Sequence, residues 1–153
     1  MKNQAFLLKF SIFSFVIVAI LGVLMRYKIA FSLPFVEQKH LQEAHSHFAF
    51  YGFITSCIYI LVAQYLSKTV EEIQMKKYQI LIGINFFASY GMLLSFLYAG
   101  YFWLSIIFST IALLNSFVYY FFLHRDLKNL QETSKIWFLA AFFFAVLSSL
   151  GVF

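Results

Sequence analysis

From Tyr78 to Leu123 the chain carries no charged side chain. Backbone N–H and C=O groups taken into hydrocarbon must be paired within the protein, which leaves helices or a closed barrel as membrane-spanning forms. About 20 apolar residues cross a bilayer core at about 1.5 Å per residue, so this run is long enough for two helices. Ala99-Gly100-Tyr101 is the only break, and it is short enough to require a tight helical hairpin. The same reading places helices at about 5–27, 40–65, 78–98, 102–123 and 136–153. The expected fold class is all-α: a polytopic membrane helix bundle of about five transmembrane helices, one transmembrane domain over residues 1–153.

Composition agrees with that constraint. The chain is 63% hydrophobic and 11% charged, with a mean hydropathy of +0.84, outside the range of soluble domains. Its 22 Phe and 10 Tyr suit packing between helices and the headgroup level, and one Pro and six Gly leave little to break them. The first apolar segment follows a basic start as a signal peptide would. However, Gly22-Val23-Leu24-Met25-Arg26-Tyr27 lacks a small-x-small cleavage pattern and the run is long enough to span. Cys57 is the lone cysteine, so neither an intrachain disulfide nor a cysteine metal framework forms, and it reads as a small buried hydrophobe.

The net charge of +5 is an orientation signal rather than a sign of nucleic-acid binding. With a cytoplasmic N-terminus, the inside carries Lys2, Lys9, Lys68, Lys76, Lys77, Arg125, Lys128 and Lys135, and the outside only Arg26, Lys28 and Lys39. That places His40, His45 and His47 at the outer edge of the second helix and His124 at the inner edge. A bacterial inner (cytoplasmic) membrane is the expected location.

Three of the four histidines fall between Lys39 and Phe48. Ionisable side chains at the mouth of a membrane span are costly and point to function. At about 100° per residue, His40, Glu43 and His47 share one stripe of a helix while His45 points elsewhere. Two functional readings stay open at this point. The stripe offers two nitrogens and a carboxylate to zinc or copper. Alternatively, His45 or His47 gives a single axial bond to a haem iron and the other histidine makes a hydrogen bond. Interfacial caps facing headgroups are the plain alternative. Elsewhere, Asn85 and Asn115 read as interhelical hydrogen-bond partners, and Gly52, Gly83 and Gly91 as points of close helix approach. Tyr51, Tyr59 and Tyr90 read as bundle tyrosines bonded to neighbouring carbonyls or to a ligand, and His124 as a complement to a helix C-terminus.

Glu43-Ala44-His45-Ser46-His47-Phe48-Ala49-Phe50-Tyr51-Gly52-Phe53 resembles the His-x-His…Gly opening of the second helix in the catalytic subunit of haem-copper oxidases and nitric oxide reductases. It is also similar to small bacterial membrane proteins related to that superfamily. The resemblance implies a periplasmic-side axial histidine for a low-spin haem, carried over here to His45 and His47 only. Those catalytic subunits have about twelve helices, and the motifs of their later helices are missing from this chain. The resemblance therefore implies a short or truncated relative that transfers electrons or handles a cofactor, not a complete oxidase centre. The other functions expected are a non-catalytic subunit packed against membrane partners or its own copies, and a small transporter using the His40, Glu43 and His47 stripe. The last apolar segment reaches Phe153 without a polar flank, which fits either a longer protein or a chain ended by its own carboxylate.

Overall fold

Hydropathy marks where a helix leaves hydrocarbon, whereas backbone hydrogen bonds mark where it ends, and in this protein the two differ by about a turn. The computed structural model describes residues 2–69, 73–127 and 133–149. Its helices are α1 (Lys2–Ala30), α2 (Gln38–Thr69), α3 (Met75–Ala99), α4 (Trp103–Asp126) and α5 (Thr133–Ser149), and no strand occurs among the described residues. Polar residues such as Lys28, Gln38, Lys68 and Asp126 continue the helices past the predicted ends.

Four helices, α1 to α4, are long and apolar enough to cross a membrane. With 17 residues, α5 falls short of the roughly 20 that a bilayer core asks for. It begins at Thr133 rather than at 136. The predicted continuation over 150–153 lies outside the described residues, as do Met1, the connections 70–72 and 128–132, and with the latter Lys128.

Helix α3 is the centre of the bundle. It packs against both α2 and α4, and 56% of its most apolar stretch is buried, against 22% for α1 at the periphery. Exposed apolar side chains such as Phe87, Leu94 and Phe121 face outward from this core, as a bilayer solvent allows. The interior divides into two apolar clusters. Leu41, Phe48, Met92 and Phe96 fill the histidine end, and Ile60, Leu66, Tyr78, Tyr119 and Leu123 fill the other. In the second cluster the rings of Tyr59 and Tyr119 stack at 3.8 Å.

Each end is closed differently. At the end away from the histidines, Lys77 pairs with Asp126 at 2.6 Å, and the Tyr78 hydroxyl donates to the same carboxylate at 2.7 Å. This cluster joins the start of α3 to the end of α4. At the histidine end, Lys28 donates to the carbonyls of Leu33 and Val36 and folds the link from α1 to α2 over its own helix end.

Between Phe48 and Thr55, α2 is wound as a π-helix, a departure from the regular helix expected there. Such i→i+5 segments widen the helix and shift the direction of every side chain beyond them. The Tyr51 carbonyl accepts from Ser56 Oγ at 3.1 Å and from Asn85 Nδ2 at 2.8 Å. Asn85 Nδ2 also lies 2.9 Å from Ser56 Oγ. Asn115 Nδ2 likewise donates to the Leu81 carbonyl at 3.1 Å, so both asparagines link helices as expected.

The glycines divide. A Cβ on Gly91 would lie 2.5 Å from the Phe108 ring, so this glycine does allow α3 and α4 to approach. The nearest atoms to a Cβ on Gly52 belong to Phe48 of its own helix, and Gly83 has nothing within 4 Å, so Gly83 does not sit at a helix crossing. Cys57 is only partly buried and lies 3.0 Å from Ser11 Oγ, a polar contact to α1 rather than a purely apolar burial.

Replacing Asn85 with Leu keeps the volume but removes the donor to the Tyr51 carbonyl. The variant is expected to lose about 1–2 kcal/mol of stability, measured by reversible unfolding in mixed micelles.

Candidate functional site

The three neighbouring histidines of α2 face different partners. His45 turns toward α1, where its Nδ1 lies 3.1 Å from the Val18 carbonyl oxygen. A carbonyl only accepts, so the Nδ1 carries the hydrogen and the Nε2 is left with a lone pair. Gly22, the single glycine of α1, makes room for this ring: a Cβ there would lie 3.3 Å from His45 Cε1.

His47 points into the bundle and is 5% exposed. Its ring stacks on Phe96 at 4.4 Å, and its Nε2 lies 2.7 Å from the Tyr101 hydroxyl. The other nitrogen, Nδ1, is buried without a hydrogen-bond partner. Such an unpaired atom costs stability unless something else satisfies it.

Tyr101 stands in the turn from α3 to α4, outside the spanning helices. Loss of solvent and the nearby Glu43 carboxylate raise its hydroxyl above the usual tyrosine range, so it stays a neutral donor and acceptor for His47. Gly100, just before it, has φ of 61°, a conformation that favours glycine. His40 and Glu43 close over that backbone: a Cβ on Gly100 would lie 2.5 Å from His40 Cδ2 and 3.0 Å from Glu43 Oε2.

Of the stripe, His40 and Glu43 lie against Gly100, while the His47 ring bonds Tyr101 and stacks on Phe96. Among the described residues, no group of three or more His, Cys, Asp or Glu side chains is arranged to hold a metal ion. The separation of His45 from the stripe matches the helical geometry.

Two cavities meet at His47. A polar one of about 290 Å³ is lined by Lys39, Gln42, Glu43, Ser46, His47 and Tyr101. A larger apolar cleft of about 490 Å³ runs between α2 and α5, with His47 and Tyr51 at one end and Tyr59 and Ser116 at the other. Of the remaining sequence candidates, Tyr90 bonds Ser14 at 3.1 Å, and His124 sits in the last turn of α4, 6.1 Å from the Tyr120 ring. Sequence reasoning missed Tyr101, Phe96, Val18 and Gly22. The three-residue hairpin was the signal for Tyr101, because a turn that short has to lie beside the mouth of the neighbouring helix.

No family model matches this chain, and no curated protein or solved structure matches it either.

Changing Gly100 to Ala forces a side chain into a backbone region closed to it and against His40. A stability loss of roughly 2 kcal/mol is expected from the backbone alone, read as a lower thermal midpoint in detergent. A weakened His47 to Tyr101 bond should accompany it, seen as a shifted imidazole NMR signal.

Proposed function

We propose that this protein is a cofactor-holding membrane protein in which His45 supplies one axial bond to a haem, serving electron transfer or cofactor handling. The observation that carries this reading is the hydrogen bond from His45 Nδ1 to the Val18 carbonyl. Histidines that ligate metals characteristically donate their other ring N–H to a carbonyl or carboxylate, which fixes the tautomer and aims the free nitrogen. His45 has that donor chemistry toward a group that can only accept, whereas the Tyr101 hydroxyl beside His47 Nε2 both donates and accepts and leaves the tautomer of His47 open.

Haem, when bound, supplies the one-electron chemistry, while the chain supplies a ligand and apolar surroundings. His45 would hold the group through a single ligand. A second ligand from a membrane partner or from another copy of the chain fits this reading, as do the outward apolar faces of α1 and α4. The resemblance of residues 43–53 to the haem-copper oxidase helix supports haem over copper or zinc, and among the described residues no group of three His, Cys, Asp or Glu side chains is arranged for those ions. The excess of basic residues at the end away from the histidines supports a cytoplasmic N-terminus in a bacterial inner membrane, with His45 on the outer side.

Detergent-purified protein titrated with haemin should develop a saturable Soret band. His45→Ala should abolish the band, and His47→Ala should retain most of it. No band in the parent protein, or a band that survives His45→Ala, would overturn the assignment.

A further inference from the structure

The cleft between α2 and α5 has apolar walls of Phe50, Ile54, Ile58 and Phe142 and no charged lining residue. Two residues of its lining, both toward the same end, carry polar atoms that are buried and unpaired. His47 Nδ1 and Tyr51 Oη both lack a hydrogen-bond partner, and both residues are 5% exposed. They stand four positions apart on α2 and line the same cavity. Further along, Tyr119 bonds the Tyr59 carbonyl, and Ser148, toward the His47 end of α5, bonds the Ala145 carbonyl, so these polar groups about the cleft are already engaged.

Two orphaned polar atoms at the head of an otherwise apolar cleft define a ligand by subtraction. We propose that this cleft binds a neutral lipophile whose head bears a hydroxyl or carbonyl oxygen, held by His47 Nδ1 and Tyr51 Oη, with its hydrocarbon tail along Ile54 and Ile58. A volume of about 490 Å³ lies within the usual range of small-molecule pockets. The stretch from His47 to Tyr59 extends nearly 20 Å along the helix, which suits a tail of about ten carbons. A charged head is disfavoured, because nothing in the lining offsets its desolvation.

The bond between His47 Nε2 and Tyr101 gives the head its versatility. If Nε2 donates to Tyr101, Nδ1 accepts from a ligand hydroxyl. If Tyr101 donates to Nε2, Nδ1 carries the hydrogen and donates to a ligand carbonyl. Tyr51 donates in both cases. The site therefore accepts an oxygen of either kind without moving a helix. It is independent of haem at His45, which faces α1 and does not line the cleft.

The test uses 4-decylphenol as probe, with decylbenzene and 4-decylbenzoate as controls, by equilibrium dialysis against the full chain in micelles. Saturable binding of one phenol per chain is expected, at least tenfold tighter than either control. Tyr51→Phe and His47→Gln should each weaken it about tenfold, and Ala145→Trp, which fills the cleft, should abolish it while leaving any Soret band in place. Elution volume and helical circular dichroism show whether each variant is folded, and Tyr51→Phe removes a single hydroxyl. Equal binding of decylbenzene would mean a plain acyl groove and overturn the proposal. So would phenol binding indifferent to Tyr51→Phe and His47→Gln. A parent protein that is dimeric, turns monomeric with Ala145→Trp and binds no phenol would mean that a second copy fills the cleft, and would overturn it as well.

Discussion

Asn85 does two jobs with one amide group. Its Nδ2 reaches from α3 to the Tyr51 carbonyl of α2, which ties the central helix to its neighbour across the apolar interior. The same carbonyl belongs to the π-wound segment, where i→i+4 pairing is lost, and Asn85 adds a second donor to the one that Ser56 Oγ supplies. With both, α2 can offset its second half against its first, so that His47 and Tyr51 open onto the α2–α5 cleft while Ser56 closes against α3.

The two ends of the bundle handle polarity in opposite ways. At one, Lys77, Asp126 and Tyr78 satisfy one another, and the cluster holds α3 to α4. At the other, Glu43 Oε2, His47 Nδ1 and Tyr51 Oη are buried without partners. Native interiors rarely leave such atoms unpaired, and those they do leave tend to mark places where something binds.

Much of this was legible in the sequence. Charge-free runs and short polar links announced the helices, because lipid leaves the backbone few alternatives. Asn85 and Asn115 stood out as amides deep in apolar helices, which have to find a carbonyl on a neighbouring helix. The angle between His45 and the His40, Glu43, His47 stripe followed from helical periodicity, since this part of α2 precedes the π segment. That segment itself was not legible: its residues suit an α-helix equally well, and it depends on Asn85, a partner far away in the chain. The role of Gly83 was misread for a related reason, since a glycine's neighbour belongs to the packing and not to the local sequence. Tyr101 was overlooked as a loop aromatic, though its hydroxyl decides which nitrogen of His47 stays free.

The shallow seating of α1 bears on how the protein is made. This helix is made before α2 and α3, yet its polar links to the bundle run to residues of those later helices: Ser11 to Cys57, Ser14 to Tyr90 and Val18 to His45. It has to wait in the lipid until α2 and α3 have been inserted. The tautomer of His45 is therefore fixed only when α1 docks against helices made after it.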